Sequence, residues 1–99
     1  MQERILQVVL DAVAALNEEL GYEELEKASE DTVLHGGETG LDSLSLVSLI
    51  VDVEERVAAA FGRAVALADE KALSRRQSPY RTVGTLVALI RERLEERDA

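Results

Sequence analysis

Apolar residues recur at helical spacing in three separate segments, and this periodicity constrains the fold more than any other feature of the chain. The first segment predicts a helix over residues 5–20, with an apolar stripe formed by Ile5, Val9, Val13, Leu16 and Leu20. Gly21 is placed to end that helix in a left-handed conformation. Residues 22–40 lose the periodicity and predict a loop with one short helical turn within residues 23–28. The loop residues expected to reach the core are Leu25, Val33 and Leu34.

The second periodic segment predicts a helix that begins at Asp42 or Ser43, either of which can cap it, and ends near Ala60, before Gly62. At about 100° per residue, its buried stripe is Leu46, Leu49, Ile50, Val53 and Val57. Its polar face is Ser45, Ser48, Asp52, Glu55 and Arg56. This separation is typical of an amphipathic helix that packs on one side.

A second apolar row, formed by Leu44, Val47 and Val51, borders the polar face of this helix at spacings i, i+3 and i+7. Such a row is unexpected on an ordinary surface helix. It is either core that packs against the first helix or the loop, or a surface that contacts a partner protein. The row begins one residue after Ser43.

The last third of the chain predicts a connection, a short helix over residues 68–73, a basic turn over residues 74–79 and a final helix that Thr82 caps. The connection should be held to the core by Phe61, Val65 and Leu67. The final helix should bury Val83, Leu86, Val87, Leu89, Ile90 and Leu94. No alternating pattern typical of a strand is present, so the fold class is all-α, a bundle of three main helices plus one short helix.

Two smaller features of this region leave alternatives open. Arg75, Arg76 and Arg81 either form a solvated basic turn or help to select partners. Gly84, near the start of the last helix, is placed to allow close packing.

Composition and charge limit the classes of function. The 99 residues suit one domain over 1–99, and 46% apolar residues with only three aromatic side chains predict a small aliphatic core. A formal net charge of −9 disfavours nucleic acid, because binding to phosphates requires cations. Without cysteine there are no disulfides or thiolate metal sites, and no apolar run is long enough to span a bilayer. We expect a cytoplasmic monomer that does not insert into membranes.

Ser43 is the residue whose chemistry decides between an enzyme and a non-enzyme. A hydrolase elbow requires glycine two positions before and two after the serine, but Leu41 and Ser45 stand there. The single histidine, His35, lies in a glycine-flanked loop eight residues upstream, and no other base is near in sequence. One histidine without cysteine offers no zinc ligand set. The pattern indicates an attachment point and not a catalytic nucleophile.

The segment Gly40-Leu41-Asp42-Ser43-Leu44, followed by Val47, Leu49, Val53 and Glu54-Glu55, resembles the modification site and second helix of the acyl carrier protein family. The start of the last helix, Thr82-Val83-Gly84-x-Leu86, is similar to the final helix of that family. The order of the predicted elements agrees over nearly the whole chain. The resemblance therefore implies an acyl-carrier-like helical bundle.

What this resemblance implies for function is specific. Ser43 would be esterified with 4′-phosphopantetheine from coenzyme A by a phosphopantetheinyl transferase, with Gly40, Asp42 and Leu44 beside the attachment site. The thiol of the arm would then carry acyl groups as thioesters between acyl-loading and acyl-using enzymes of fatty-acid, lipid or polyketide synthesis. Partners would contact the face formed by Leu44, Val47, Val51, Asp52, Glu54 and Glu55.

Two departures from the family pattern suggest a specialised stand-alone carrier. Ser45 and Ser48 occupy positions where the family often has acids, and the connection over residues 66–82 is longer and more basic than usual. Two alternatives stay open. One is a helical adaptor domain that carries nothing, and the other is an aminoacyl or peptidyl carrier of a non-ribosomal peptide-type pathway.

Overall fold

The computed structural model of the protein describes residues 2–34, 41–68 and 78–96. Four helices lie within these stretches: α1 (Gln2–Leu20), α2 (Glu23–Glu26), α3 (Ser43–Phe61) and α4 (Val83–Glu95). In the same stretches no strand is formed, although an isolated antiparallel bridge joins Val33 and Thr82. The predicted all-α class is therefore confirmed, and the arrangement is compatible with a small helical bundle.

The core lies where α1 packs against both α3 and α4. On α1, the stripe residues Ile5, Val9 and Val13 are buried, and Leu16 and Leu20 are partly buried against them. All five predicted core residues of α3 are buried: Leu46, Leu49, Ile50, Val53 and Val57. On α4 all the predicted core residues are buried except Leu94, which is partly buried. Periodicity thus identified the buried faces of all three long helices.

Two glycines end helices in the left-handed region, where a side chain would be strained. Gly21 follows α1 with φ of 67°, and its N–H donates to the carbonyl of Asn17 at 2.8 Å. Gly62 follows α3 with φ of 68° and donates to the carbonyl of Ala58 at 2.9 Å. Both helix ends agree with the sequence prediction.

The segment after α2 is attached to the start of α4 by backbone hydrogen bonds. The N–H of Leu34 donates to the Arg81 carbonyl at 2.7 Å, and the N–H of Val83 donates to the Thr32 carbonyl at 3.0 Å. Leu25 and Leu34 are buried as predicted, but Val33 is 40% exposed, so its prediction as a core contact is wrong. The segment is extended at the bridge, where successive side chains point to opposite sides, and Leu34 takes the inward position.

The N-terminus of α4 is closed by its own cap and by this segment. Thr82 and Thr85 form a capping box, in which the Thr82 hydroxyl accepts from the Thr85 N–H at 3.1 Å. The N–H of Gly84 donates to the Glu30 carbonyl at 2.8 Å, and a Cβ at this glycine would lie 3.1 Å from the same oxygen. Gly84 therefore permits close packing as predicted, and its neighbour is the backbone of the segment after α2.

The connection after α3 packs on the core as expected, with Leu67 buried and Phe61 and Val65 partly buried. The predicted short helix over residues 68–73 lies outside the described residues except for Ala68. So does the predicted basic turn up to residue 77.

Candidate functional site

Ser43 is the first residue of α3, and Asp42 immediately before it is the N-cap. Asp42 Oδ1 accepts a hydrogen bond from the N–H of Ser45 at 2.7 Å, and the Asp42 carbonyl accepts from the N–H of Leu46 at 2.9 Å. The backbone hydrogen bond from Ser45, assisted by the Ser45 side chain, lowers the pKa of Asp42 because both favour the ionised carboxylate. Of the two candidate caps, Asp42 takes the role, so Ser43 is not required as the N-cap.

The residue before the Asp42 cap is connected through Leu34 to the segment that precedes α4. Leu41 is buried, and its N–H donates to the Leu34 carbonyl at 2.7 Å. The N–H of Leu34 in turn donates to the carbonyl of Arg81, next to the N-cap of α4. Two successive hydrogen bonds thus connect the residue before the Asp42 cap to the start of the last helix. Gly40 and His35, which the sequence places nearby, lie outside the described residues.

The first turns of α3 and α4 differ in how their N–H groups are satisfied. In α4, the N–H groups of Val83 and Gly84 donate to loop carbonyls and that of Thr85 donates to Thr82. In α3, Asp42 accepts from Ser45, while the N–H of Leu44 has no acceptor within the described stretches. A helix start with free N–H groups and the positive end of the helix dipole favours an anion such as a phosphate.

The second apolar row of α3 faces outward. Leu44 is 78% exposed, Val47 is 56% exposed and Val51 is 48% exposed. The interpretation of these three residues as ordinary core is therefore wrong. Their exposure arises because α1 and the core occupy the other side of α3, where Leu46, Leu49 and Val53 are buried.

The three acids predicted to lie beside this row differ in the contacts that they make within the fold. Asp52 forms an ion pair with Arg56 at 2.8 Å, one turn further along the helix. The carboxylate of Glu54 accepts a hydrogen bond from the N–H of Leu67 at 2.7 Å and so holds the connection that follows α3. Glu55 is exposed. The sequence places all three acids at one surface, whereas the structure gives Glu54 a contact within the fold.

Leu67 is held at both of its backbone groups, which sequence reasoning missed. The N–H of Leu67 donates to Glu54, and the buried Tyr80 hydroxyl donates to the Leu67 carbonyl. No sequence motif predicts that Glu54 and Tyr80 both bind Leu67, because each of them is 13 residues from Leu67 in the chain. The only available signal was a tyrosine beside an apolar helix in a chain with few aromatic residues.

The remaining candidates do not form a metal site in the described part of the chain. Among residues 2–34, 41–68 and 78–96, no group of three or more His, Asp or Glu side chains could hold a metal ion. Arg81 is exposed, and Arg75 and Arg76 lie outside the described residues. None of the helices described is both long enough and apolar enough to cross a membrane. The candidate site in the described residues is therefore a serine at a capped helix start beside an exposed apolar row.

Comparisons of the chain with protein-family models, curated proteins and solved structures find no match.

Proposed function

We propose that the protein is a carrier and not an enzyme, with Ser43 as the point where a 4′-phosphopantetheine arm is attached. A phosphopantetheinyl transferase would use coenzyme A to esterify the serine hydroxyl. The thiol of the arm would then carry acyl intermediates as thioesters to enzymes of fatty-acid, lipid or polyketide synthesis. The proposal starts from the resemblance of the Asp42-Ser43-Leu44 segment to the acyl carrier protein family.

The observation that carries the proposal is the position of Ser43 as the first residue of α3, directly after the Asp42 cap. A phosphodiester on this residue would lie at the positive end of the helix dipole. The N–H of Leu44, which has no acceptor among the described residues, could donate to it. At the start of α4 the corresponding N–H groups of Val83 and Gly84 are already bonded. This contrast favours α3 over α4 as the helix start that accepts an anion.

The exposed row of Leu44, Val47 and Val51 supports the same proposal. An arm that carries reactive groups must be presented to enzymes, and those enzymes need a surface beside the attachment point that they can bind. The row begins next to Ser43 and continues for two turns, and large exposed side chains at regular spacing typically mark a contact surface. Asp52 and Glu55 lie at the far end of this surface, and Glu54 contributes there less directly because it binds Leu67.

Mass spectrometry after incubation with coenzyme A and a broad-specificity phosphopantetheinyl transferase tests the proposal. We expect the wild-type chain to gain the mass of one phosphopantetheine group and Ser43→Ala to gain none. Ser48→Ala is the matched control, because it removes an exposed serine from the same helix and should be modified like wild type. A wild-type chain that gains no mass with several transferases would contradict the carrier function.

A helical adaptor that carries nothing is the second candidate, and the exposed row favours it as well, because an adaptor needs only that surface. An adaptor does not need the hydroxyl of Ser43. Absence of modification, combined with partner binding that is lost in Val47→Asp and kept in Ser43→Ala, would support the adaptor instead.

The class of cargo is a separate part of the proposal. An acyl carrier and an aminoacyl or peptidyl carrier would use the same arm on Ser43, so the domain itself does not distinguish them. The mass of the group bound to the arm in protein purified from the native cell identifies the class. We expect an acyl group, and an aminoacyl or peptidyl group would assign the chain to a peptide pathway.

A further inference from the structure

Residues 30–34, the segment after α2, are attached to the start of α4 by three backbone hydrogen bonds. The N–H of Gly84 donates to the Glu30 carbonyl at 2.8 Å, the N–H of Val83 to the Thr32 carbonyl at 3.0 Å, and the N–H of Leu34 to the Arg81 carbonyl at 2.7 Å. These bonds lie at both ends and in the middle of the segment. The position of the whole segment is therefore set by the start of α4.

Gly84 is the residue that allows this close approach. A Cβ at this position would lie 3.1 Å from the Glu30 carbonyl oxygen and 3.8 Å from the Glu30 Cβ. The first distance is shorter than ordinary van der Waals contact, so a side chain here displaces the Glu30 backbone by a few tenths of an ångström. The φ of Gly84 is not positive, so the glycine is needed for space and not for its backbone conformation.

The other end of the segment holds the start of α3. Leu34 is fully buried, and its carbonyl accepts a hydrogen bond from the N–H of Leu41 at 2.7 Å. Leu41 is buried as well, and a hydrogen bond between buried groups is stronger than one exposed to water. Asp42, the N-cap of α3, follows Leu41 directly, and Ser43 comes next. A displacement of residues 30–34 therefore reaches Ser43 through one hydrogen bond and a short stretch of backbone.

Ser43 lies between two anchored residues. Leu41 before it and Leu46 after it are buried, whereas Leu44 is 78% exposed. Leu46 packs in the core, and Leu41 is bound to Leu34. The backbone at Ser43 is thus positioned by the core on one side and by residues 30–34 on the other.

We propose that residues 30–34 position Ser43 for modification, and that Gly84 sets the place of this segment. The inference rests on the proposed carrier function, because it concerns the reaction that attaches the arm. In that reaction the serine oxygen bonds to the phosphorus that carries pantetheine, the pyrophosphate bond of coenzyme A breaks, adenosine 3′,5′-bisphosphate leaves, and the hydroxyl proton passes to a base of the transferase. A misplacement of about 1 Å can lower such a rate about 100-fold. Gly84 is a positioning residue, since it acts through Leu34 and Leu41.

The test measures the single-turnover rate of Ser43 modification with phosphopantetheinyl transferase and coenzyme A in excess, which separates the chemical step from binding. We expect the rate to fall about threefold in Gly84→Ala, where the displacement is a few tenths of an ångström. In Gly84→Val, whose branched side chain needs more room, we expect a fall of about tenfold. The transferase concentration that gives half the maximal rate should stay within about twofold of wild type, because the surface beside Ser43 is unchanged.

Hydrogen exchange of single N–H groups measures the same displacement without any enzyme. The N–H groups of Leu34 and Leu41 should exchange about tenfold faster in Gly84→Val than in wild type, because their hydrogen bonds involve the displaced segment. The N–H of Gly62, which donates to Ala58 at the far end of α3, is the internal control and should exchange at the wild-type rate.

Two control variants separate positioning from loss of stability. Ala88→Val introduces the same branched side chain one turn further along α4, at an exposed position, and should leave the single-turnover rate within about twofold of wild type. Leu94→Ala removes a partly buried side chain from the other end of α4, and should lower Tm by about 5 °C while the rate stays within about twofold. Gly84→Ala should keep Tm within about 4 °C of wild type, because the helix preference of alanine offsets the close contact.

The outcomes are distinguishable. Wild-type rates in both Gly84 variants, or unchanged exchange at Leu34 and Leu41, overturn the inference and leave the carrier function intact. A rate loss in Leu94→Ala equal to that in Gly84→Val also overturns it, because lost stability would then explain both. If Gly84→Val does not fold, Gly84→Ala decides by the same two measurements. A wild-type chain that gains no mass is a failure of the carrier function on which the inference rests.

Discussion

The buried Tyr80 hydroxyl allows a sharp test of how the connection after α3 is held. In Tyr80→Phe the aromatic residue, which is 6% exposed, keeps its packing, while the hydroxyl and its hydrogen bond to Leu67 are lost. The carbonyl of Leu67, a fully buried residue, then loses this donor. Leaving a buried acceptor without its partner costs about 1–3 kcal/mol, and we take about 1.5 kcal/mol for this site. A domain of this size loses about 4–8 °C in Tm per kcal/mol, so we expect a fall of about 6–12 °C.

Urea unfolding followed by circular dichroism measures this change in the free energy of unfolding. Tyr22→Phe is the matched control, because Tyr22 is 40% exposed and its hydroxyl is accessible to water. We expect the control to change the free energy of unfolding by less than about 0.5 kcal/mol.

Variants of Glu54 test the second hydrogen bond of Leu67, the one that its N–H donates. In Glu54→Gln the amide oxygen can still accept from the Leu67 N–H, so we expect a loss of only about 0.5 kcal/mol, and in Glu54→Ala a loss of about 1 kcal/mol. Because both bonds hold Leu67, the double variant Tyr80→Phe/Glu54→Ala should lose less than the sum of the single variants, by about 0.5 kcal/mol or more. A Tyr80→Phe variant as stable as Tyr22→Phe, or additive losses in the double variant, would refute the reasoning.

Two further predictions concern helix caps. Thr82→Ala removes the hydroxyl that accepts from the first turn of α4 and should lower the free energy of unfolding by about 1 kcal/mol, measured by urea unfolding; a loss below about 0.3 kcal/mol would contradict the capping role. For Asp42, the hydrogen bond from the backbone N–H of Ser45 lowers the pKa of the carboxyl group in the folded state below its ordinary value of 3.8. The ionised carboxylate therefore stabilises the fold at pH values above 3.8, and this stabilisation is lost as the pH falls through the folded-state pKa. Asp42→Asn keeps a good cap but cannot ionise, so its acid unfolding curve should lack this part of the pH dependence, and a curve with the same slope as wild type would count against it.

Much of the fold follows from local pattern. The spacing of Ile5, Val9 and Val13, and of the five core residues of α3, identified the buried faces, because a helix buries residues that recur about every 3.6 positions. Gly21 and Gly62 identified helix ends, because the left-handed conformation excludes most other residues. The all-α class needed nothing beyond these two signals and the lack of alternation.

The candidate site could be predicted only in part. Sequence placed Ser43 at a helix start, but it left the cap undecided between Asp42 and Ser43, since both residue types accept hydrogen bonds from the first turn. It assigned Glu54 to a partner surface, and the structure turns that carboxylate toward Leu67. A contact across 13 residues depends on how the connection packs, which no local pattern contains.

The sequence by itself determined where the three long helices lie, although α1 begins at Gln2 and not at residue 5 as predicted. It also determined which faces of those helices are apolar, and that a serine follows Asp42 where the second long helix begins. These properties depend on residues a few positions apart, so local chemistry is sufficient. Only the tertiary structure decided that Leu44, Val47 and Val51 face outward, since an apolar residue is buried or exposed according to what packs against it. Only the tertiary structure could show the backbone bonds from Arg81 through Leu34 to Leu41, because hydrogen bonds between distant segments form when packing brings those segments together.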